Sequence, residues 1–344
     1  MYAVAEILRC FSMGQEKDNW MNYIVFDLEW NQAAEGKIKE NKDIPFEIIE
    51  IGAVRLDQDK NETGEFNQLV KPAVYQNMHH ITKNLIHLKM EELKQGKSFK
   101  EVINDFLEWC GEDYIFCTWG PLDLIELQRN MKYYGIEPLA TEPIRYLDIQ
   151  KLFSRQFEDK KSRRTLEYAI DYLKIEKDIP FHRAFSDAYY TGKVLAKLGP
   201  DAEAHFSIDV YKLPGNRKEE VHVSFGDYAK YISREFKDKT TAMLDREVTS
   251  TKCYICNKAL RKKVKWFTPN GKHYFSISVC PIHGYMKGKI RIRKTENEAV
   301  YVVKTLRFIE QNEIDEIMCR QEKTRENRQQ KRKGRTVKKT KKTN

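Results

Sequence analysis

Apolar and polar positions follow two rhythms along the first 200 residues. YIVFDL (23–28), FEIIEIGAVRLD (46–57) and ETGEFNQLVKP (62–72) are rich in β-branched and aromatic residues and bounded by polar stretches, which predicts three consecutive strands. In SFKEVINDFLEWC, Phe99 is followed by Val102, Ile103, Phe106 and Cys110, the spacing of one helical face. YIFCTW then predicts a strand stopped by Gly120-Pro121. Pro121 suits the first turn of a helix with Leu124, Leu127 and Met131 inward and Gly135 at its end. IRYLDI predicts a fifth strand, and TLEYAIDYLKI and RAFSDAYYTGKVLAKLG two further helices. Strands in succession, then helices and strands in alternation, predict an α/β sandwich whose opening strands form a meander and whose later strands pair in parallel. Residues 1–20 precede this pattern as an extension, 21–200 form the first domain, and 201–249 form a connector with a helix around FGDYAKYISREF. A second module is expected at 250–300, a helix at 301–320 and a disordered basic tail at 321–344.

Two acids interrupt the first strand. Side chains in a strand repeat every two residues, so Asp27 and Glu29 face the same side, where they repel each other unless a cation lies between them. An isolated pair of this kind also fits a surface ion pair or a device against edge pairing. Other segments weight the choice. Asp123 lies just past the fourth strand and Asp187 in the first turns of the last large helix, and ligands gather at strand ends in open α/β sheets. His182 precedes Asp187 by five residues, too far round a helix to share its face, so it belongs to the incoming loop. Asp27, Glu29, Asp123 and Asp187 together make an all-oxygen site suited to Mg²⁺ or Mn²⁺ and to two-metal phosphodiester cleavage, with a histidine as base for the attacking water.

Composition adds a partner. Of the 344 residues, 41% are hydrophobic and 33% charged, as expected of a globular chain, and no stretch reaches the roughly 18 apolar residues that span a bilayer. The N-terminal stretch lacks a secretion-signal pattern, so a cytoplasmic location is expected. The net charge of +10 is uneven: residues 250–300 carry +10 and 321–344 carry +9, leaving 1–249 acidic, which points to a polyanion such as nucleic acid.

Seven cysteines are present, and Cys10, Cys110, Cys117 and Cys319 are scattered. The remaining three form, with one histidine, C-x2-C (Cys253, Cys256), a gap of twenty-three residues and C-x2-H (Cys280, His283), the spacing of a tetrahedral Zn²⁺ site. With four ligands such a site is closed and serves folding, and the Asn270-Gly271 turn signal between the pairs suggests a zinc ribbon. Beyond it, MKGKIRIRK alternates: Lys287, Lys289, Arg291 and Arg293 share one face, as nucleic-acid contacts would. Trp266, Phe267 and Tyr274 are open to two readings, base stacking or hairpin packing.

The motifs FDLEW, TWGPLD and HRAFSD, in this order on these elements, resemble the three motifs of the DEDDh family of 3′–5′ exonucleases. PFEIIEIGAVRLD and FNQLVKP are similar to the following strands in the histone-mRNA, RNA-interference-type and bacterial sporulation-inhibitor-type branch. The resemblance covers about residues 21–199 and implies a ribonuclease H-like fold with a mixed five-stranded sheet flanked by helices. It also implies that Asp27, Glu29 and Asp187 hold one metal ion, that Asp27 bridges to a second supported by Asp123, and that His182 deprotonates the nucleophile. HHITKNLIH lies where the family lines its terminal-nucleotide pocket, making His80, Ile81 and Thr82 candidate substrate contacts. Trp30 departs from the family, which often has a smaller residue there, and either stacks on a base or packs in the core. The implied activity is removal of nucleotides from the 3′ end of RNA or single-stranded DNA. The competing reading, a non-catalytic binding protein on a relic exonuclease fold, is opposed by all five site positions being filled.

Overall fold

A computed structural model describes residues 22–36, 39–86, 88–160, 162–295 and 297–340, so the expected extension at 1–20 lies outside the described residues. The chain divides into two compact units, one ending at Lys212 and one starting at Leu213. Among the described residues no helix is long and apolar enough to cross a membrane.

In unit 1, β1 (Asn22–Asn31), β2 (Glu47–Leu56) and β3 (Glu62–Leu69) form the antiparallel meander that their apolar runs predict. Helices α1 (His80–Ile86), α2 (Met90–Leu93) and α3 (Phe99–Cys110) follow. The start of α3 is set by a capping box in which Ser98 and Glu101 satisfy each other's backbone N–H groups. β4 (Tyr114–Thr118) returns parallel to β1, and after α4 (Leu122–Tyr133), β5 (Arg145–Asp148) lies parallel to β4. α5 (Ile149–Phe157), α6 (Leu166–Tyr172) and α7 (Ala184–Lys197) lead to a two-residue strand, β6 (Ser207–Ile208), antiparallel to β5. The sheet order is therefore β3-β2-β1-β4-β5-β6, six strands where five were expected. The extra strand is too short to leave a periodic signal.

Both sheet faces are covered. On one, Ile24, Phe26 and Leu28 of β1 pack with Phe106 of α3 and Leu127 of α4; on the other, Tyr23 and Val25 pack with Phe153, Tyr190 and Val194. By alternation, Asp27 and Glu29 continue the second face, the one that α7 covers. α7 lies directly on β2 because two glycines remove the side chains that would separate them. A Cβ on Gly52 would stand 2.0 Å from the Phe185 backbone nitrogen, and one on Gly192 3.1 Å from Val54 Cγ2.

Unit 2 is one antiparallel sheet, not a small module behind a helical connector. β7 (Val221–Ser224) and β8 (Ala229–Ile232) precede α8 (Lys239–Leu244) and α9 (Arg246–Thr249). β9 (Arg261–Phe267), β10 (His273–Cys280), β11 (Gly284–Lys294) and β12 (Val300–Phe308) complete the order β7-β8-β12-β11-β10-β9. The helix expected around FGDYAKYISREF is thus β8, because pairing with β7 and β12 buries Tyr231 and Ile232, which a connector helix would leave in water. The helix expected at 301–320 is β12 in its first half: Val300, Val302 and Val303 favour a strand, and β11 offers a free edge. Helix starts only at Gln311, and α10 (Gln311–Thr340) runs on into the stretch expected as a basic tail.

Gly52→Ala must open the contact between β2 and α7, and a loss of about 1–3 kcal/mol or more is expected. Gly64→Ala, whose Cβ would meet Trp109 at an ordinary 3.7 Å, serves as the comparison and should stay close to the parent. Urea unfolding of the two variants decides; equal midpoints would contradict the packing described.

Candidate functional site

β1 is longer than the strand beside it. Pairing with β4 ends at Val25 opposite Cys117, so the backbone from Phe26 onward has no strand partner on that side. The side chain of Asp123, in the first turn of α4, fills the gap by accepting from the Leu28 backbone N–H and from its own. The helix is held in register by fully buried Asn130, which accepts from Ile48 N at 3.1 Å and donates to Phe46 O at 2.8 Å. Asp123 is thereby fixed beside β1, only 5% exposed, where its charge acts on Asp27, although it stands outside the close carboxylate set of Asp27, Glu29 and Asp187.

α7 brings the fourth acid. Carboxylate oxygens of Asp27, Glu29 and Asp187 lie within 4.8 Å of one another. Burial and mutual repulsion act on them in the same direction. Burial first, then Asp123, Asp187, Glu29 and Glu50, push Asp27 well above the usual carboxylate range. Burial and the charges of Asp187, Glu50 and Asp123 push Glu29 up to about 8. Asp123 is pushed up to about 7, mainly by burial, with its two backbone N–H bonds opposing. Asp187 is raised by burial and lowered in part by the His182 backbone N–H, which donates to Oδ1 at 3.4 Å. An all-oxygen set that binds protons this strongly is a site that lacks positive charge, and a divalent cation of the Mg²⁺ or Mn²⁺ type fits it.

His182 stands on the loop before α7, exposed and in the left-handed backbone region at φ 65°, as its spacing from Asp187 predicts. The next residue explains how the loop is held. Arg183 donates from Nε and Nη2 to Glu50 at 3.0 and 2.7 Å, a two-pronged pair with a carboxylate that is 0% exposed. Glu50 sits opposite Glu29 in the β1–β2 ladder, and one residue further a bulge lets Trp30 pair with Ile48. Neither Glu50 nor Arg183 was singled out from sequence. The available signal was an acid inside the most continuously apolar strand, which demands a buried cation.

Further along β1, Trp30 packs on the core against Phe46, with ring centroids 5.5 Å apart. The segment carrying His80–Thr82 is fastened beside it. Asn31, fully buried, donates to the carbonyls of Tyr75 and Asn77 and accepts from His79 N, and Glu47 accepts from the amides of Ala73, Val74 and Tyr75. Thr82 is buried and gives its hydroxyl to the Trp30 carbonyl, whereas His80 and Ile81 are exposed.

In unit 2, Cys253, Cys256, Cys280 and His283 converge. Cys253 Sγ lies 3.4 Å and Cys280 Sγ 3.5 Å from His283 Nδ1, and the Cys256 and Cys280 sulfurs are 3.7 Å apart. Ligand bonds of about 2.0 Å to nitrogen and 2.3 Å to sulfur put the corners of a tetrahedron roughly 3.5–3.8 Å apart, so these atoms could hold Zn²⁺. Each pair sits in a tight turn closed by a left-handed residue, Asn257 (φ 55°) and Gly284 (φ 88°). Burial pushes the Cys280 thiol up, but the amides of His283 and Ile282 outweigh it and hold it at about 6, favouring the thiolate. On β11, Lys289, Arg291 and Arg293 are exposed, while Lys287 is tied to Glu313 at 3.3 Å. Trp266 and Tyr274 pack with the core on the opposite face, and Phe267 packs with Ile314 and Ile317 of α10.

An Exonuclease family model matches residues 24–195, a span that contains Asp27, Glu29, Asp123, His182 and Asp187. No curated protein matches the sequence. Solved structures similar to it include the nuclease domain of 3′hExo, a DEDDh family member bound to rAMP, at 17% identity over 52% of this chain and 91% of that one, with TM-score 0.45. Cell-death related nuclease 4 (CRN-4) is 19% identical over 56% of this chain and 67% of that one, with TM-score 0.44. Exonuclease I is 12% identical over 75% and 55%, with TM-score 0.43.

Two predictions follow from the charges. Glu29 and Asp123 are raised from the ordinary 4.5 and 3.8 to about 8 and about 7, so the folded chain binds their protons more tightly than the unfolded one. The contribution of these two groups to stability without metal is then full below about pH 4 and is lost as pH rises through about 7 to 8, and a bound cation offsets that loss. The rise in melting temperature on adding Mn²⁺ should therefore grow from about pH 5.5 to about pH 8.5; a constant increment would contradict it. Arg183→Gln leaves Glu50 buried without its partner and should cost roughly 3 kcal/mol, with part recovered in the Glu50→Gln/Arg183→Gln double variant.

Proposed function

Because the chain belongs to the exonuclease family, we propose that it is a 3′–5′ exonuclease that hydrolyses phosphodiester bonds at the 3′ end of RNA or single-stranded DNA. The observation that carries this reading is the convergence of the Asp27, Glu29 and Asp187 carboxylates within 4.8 Å, with Asp123 fixed beside them. Asp27, Glu29 and Asp187 would hold one Mg²⁺ or Mn²⁺ ion, and Asp27 with Asp123 a second. Bound ions of this kind neutralise the phosphoryl oxygens and favour ionisation of the attacking water.

The chain's own residues supply the rest. His182, exposed on the loop and next to the acid that ends the set, takes the water's proton as the oxygen attacks phosphorus and the 3′ oxygen of the shortened strand departs. The Arg183–Glu50 pair holds that loop against β2 so that the imidazole does not have to be ordered at each turnover. His80 and Ile81, exposed beside the end of β1, are the substrate contacts of this reading, with Thr82 acting through the backbone. In unit 2, Cys253, Cys256, Cys280 and His283 bind a structural Zn²⁺, with no coordination position left for a reaction. Lys289, Arg291 and Arg293 contact nucleic-acid phosphates. Thiol ligands of this kind persist in a reducing compartment, consistent with the cytoplasm.

Incubation with 3′-labelled and 5′-labelled oligonucleotides in Mn²⁺ tests the polarity. Mononucleotide released first from the 3′-labelled strand is expected, with a loss of about a thousandfold or more in Asp27→Ala and about 10²–10⁴-fold in His182→Ala. Equal degradation by the parent and Asp27→Ala would refute the assignment. Protein purified without chelator should hold about one zinc per chain, and Cys256→Ser should release it.

A further inference from the structure

We infer that the exposed cationic face of β11 docks the phosphate backbone of a nucleic-acid double helix in preference to a single strand. This rests on the reading of the chain as a nucleic-acid enzyme and narrows the form of nucleic acid that unit 2 takes.

The face is charged and unpaired. Alternation along β11 turns Met286, Ile290 and Ile292 inward and Lys287, Lys289, Arg291 and Arg293 to the other side. Lys287 is engaged by Glu313, which it shares with Arg307. Among the described residues no carboxylate pairs with Lys289, Arg291 or Arg293. The residues opposite them in the ladders are Phe275 and Thr305 for Lys289, His273 and Val303 for Arg291 and Tyr301 for Arg293, so none of these partners is an acid. Residues 250–294 contain no Asp or Glu at all. A face that served only for solvation would intersperse both signs.

The second observation concerns rings. Proteins that hold single strands without sequence preference stack bases on aromatic side chains, each worth about 1–3 kcal/mol. Among the described residues of unit 2 no Trp, Tyr or Phe side chain is exposed, and the rings nearest the row, Tyr285 on β11 and His273 opposite Arg291, are half-buried. Trp266 points into the core under α8 and α9 and donates its indole N–H to the Thr249 carbonyl at 2.8 Å, and Phe275 is covered by Ile314 and Ile317. Affinity at this face therefore comes chiefly from phosphates. A duplex presents a phosphate every 1.7 Å or so of axis against about 3.4 Å for one strand, so a rigid row of cations gains most from a duplex.

Fluorescence anisotropy with the full chain in buffer without divalent ions measures this apart from hydrolysis. A duplex of about 20 base pairs should bind at least about tenfold more tightly than either of its strands. The Lys289→Gln/Arg291→Gln/Arg293→Gln variant should lose at least about tenfold for the duplex, and its log–log salt slope should fall by about 2.7, or 0.9 per phosphate contact. Lys287→Gln, which removes an ammonium already held by Glu313, should bind nearly as the parent does, which separates lost contacts from lost folding. Equal affinity for a single strand, a triple variant that binds the duplex unchanged, or displacement of the duplex by polyglutamate at equal charge would each overturn the inference. Hydrolysis of a tetranucleotide by the parent reports on the unit 1 site independently, so its absence would fault the exonuclease reading without bearing on duplex binding.

Discussion

Four carboxylates crowd the place where β1 outruns β4, and the cost of bringing them together organises that end of unit 1. Each of Asp27, Glu29, Asp123 and Asp187 is raised above its ordinary range, with burial the first cause in every case. A fold selected for stability alone would have placed apolar residues there. Instead the surroundings relieve the repulsion only partly: two backbone N–H groups for Asp123, one for Asp187, and the charge of Arg183 acting on Glu29 from a distance. Because Arg183 spends its two-pronged contact on Glu50, the metal-facing acids keep their oxygens available.

That unrelieved charge can be held in place only by a stiff frame, and its fastenings are backbone contacts. Gly52 lies opposite Asp27 in the β1–β2 ladder and is also where the first turn of α7 touches β2, so one missing side chain brings Asp187 to Asp27. Asn130 ties α4 to β2 in the same manner, with its amide completing backbone bonds left open by the strand, and so positions Asp123. The positive φ of His182 belongs to this frame too. A left-handed residue costs energy, and the loop tolerates it because the next residue, Arg183, is held by Glu50 and the His182 N–H is held by Asp187.

What could be foreseen from sequence divides along the range of the forces involved. Helix α3 was legible because Phe99, Val102, Ile103, Phe106 and Cys110 encode their common face locally, and the first strands because their runs are β-branched and bounded. The placement of Asp27, Glu29, Asp123, His182 and Asp187 at element ends was legible because each lies where a strand or helix signal starts or stops. Glu50 and Arg183 escaped because their meaning lies in a pair separated by 133 residues. β8 and β12 escaped for a related reason: a short amphipathic stretch takes the period of the partner it finds, and β12 supplies that partner for β8.

The same alternation has opposite consequences in the two units. In β1 it turns two like charges toward a face covered by a helix, where they become expensive unless small cations enter. In β11 it turns a row of like charges outward, where water keeps them inexpensive and a large polyanion gains by displacing counterions. Lys287 marks the transition between these regimes. α10 reaches it, and there the fold supplies a carboxylate, Glu313, whereas among the described residues no carboxylate pairs with Lys289, Arg291 or Arg293. Charge that the fold compensates belongs to its stability. Charge that it leaves uncompensated, covered in β1 and open in β11, is what the proposed cation and the proposed phosphate backbone would neutralise.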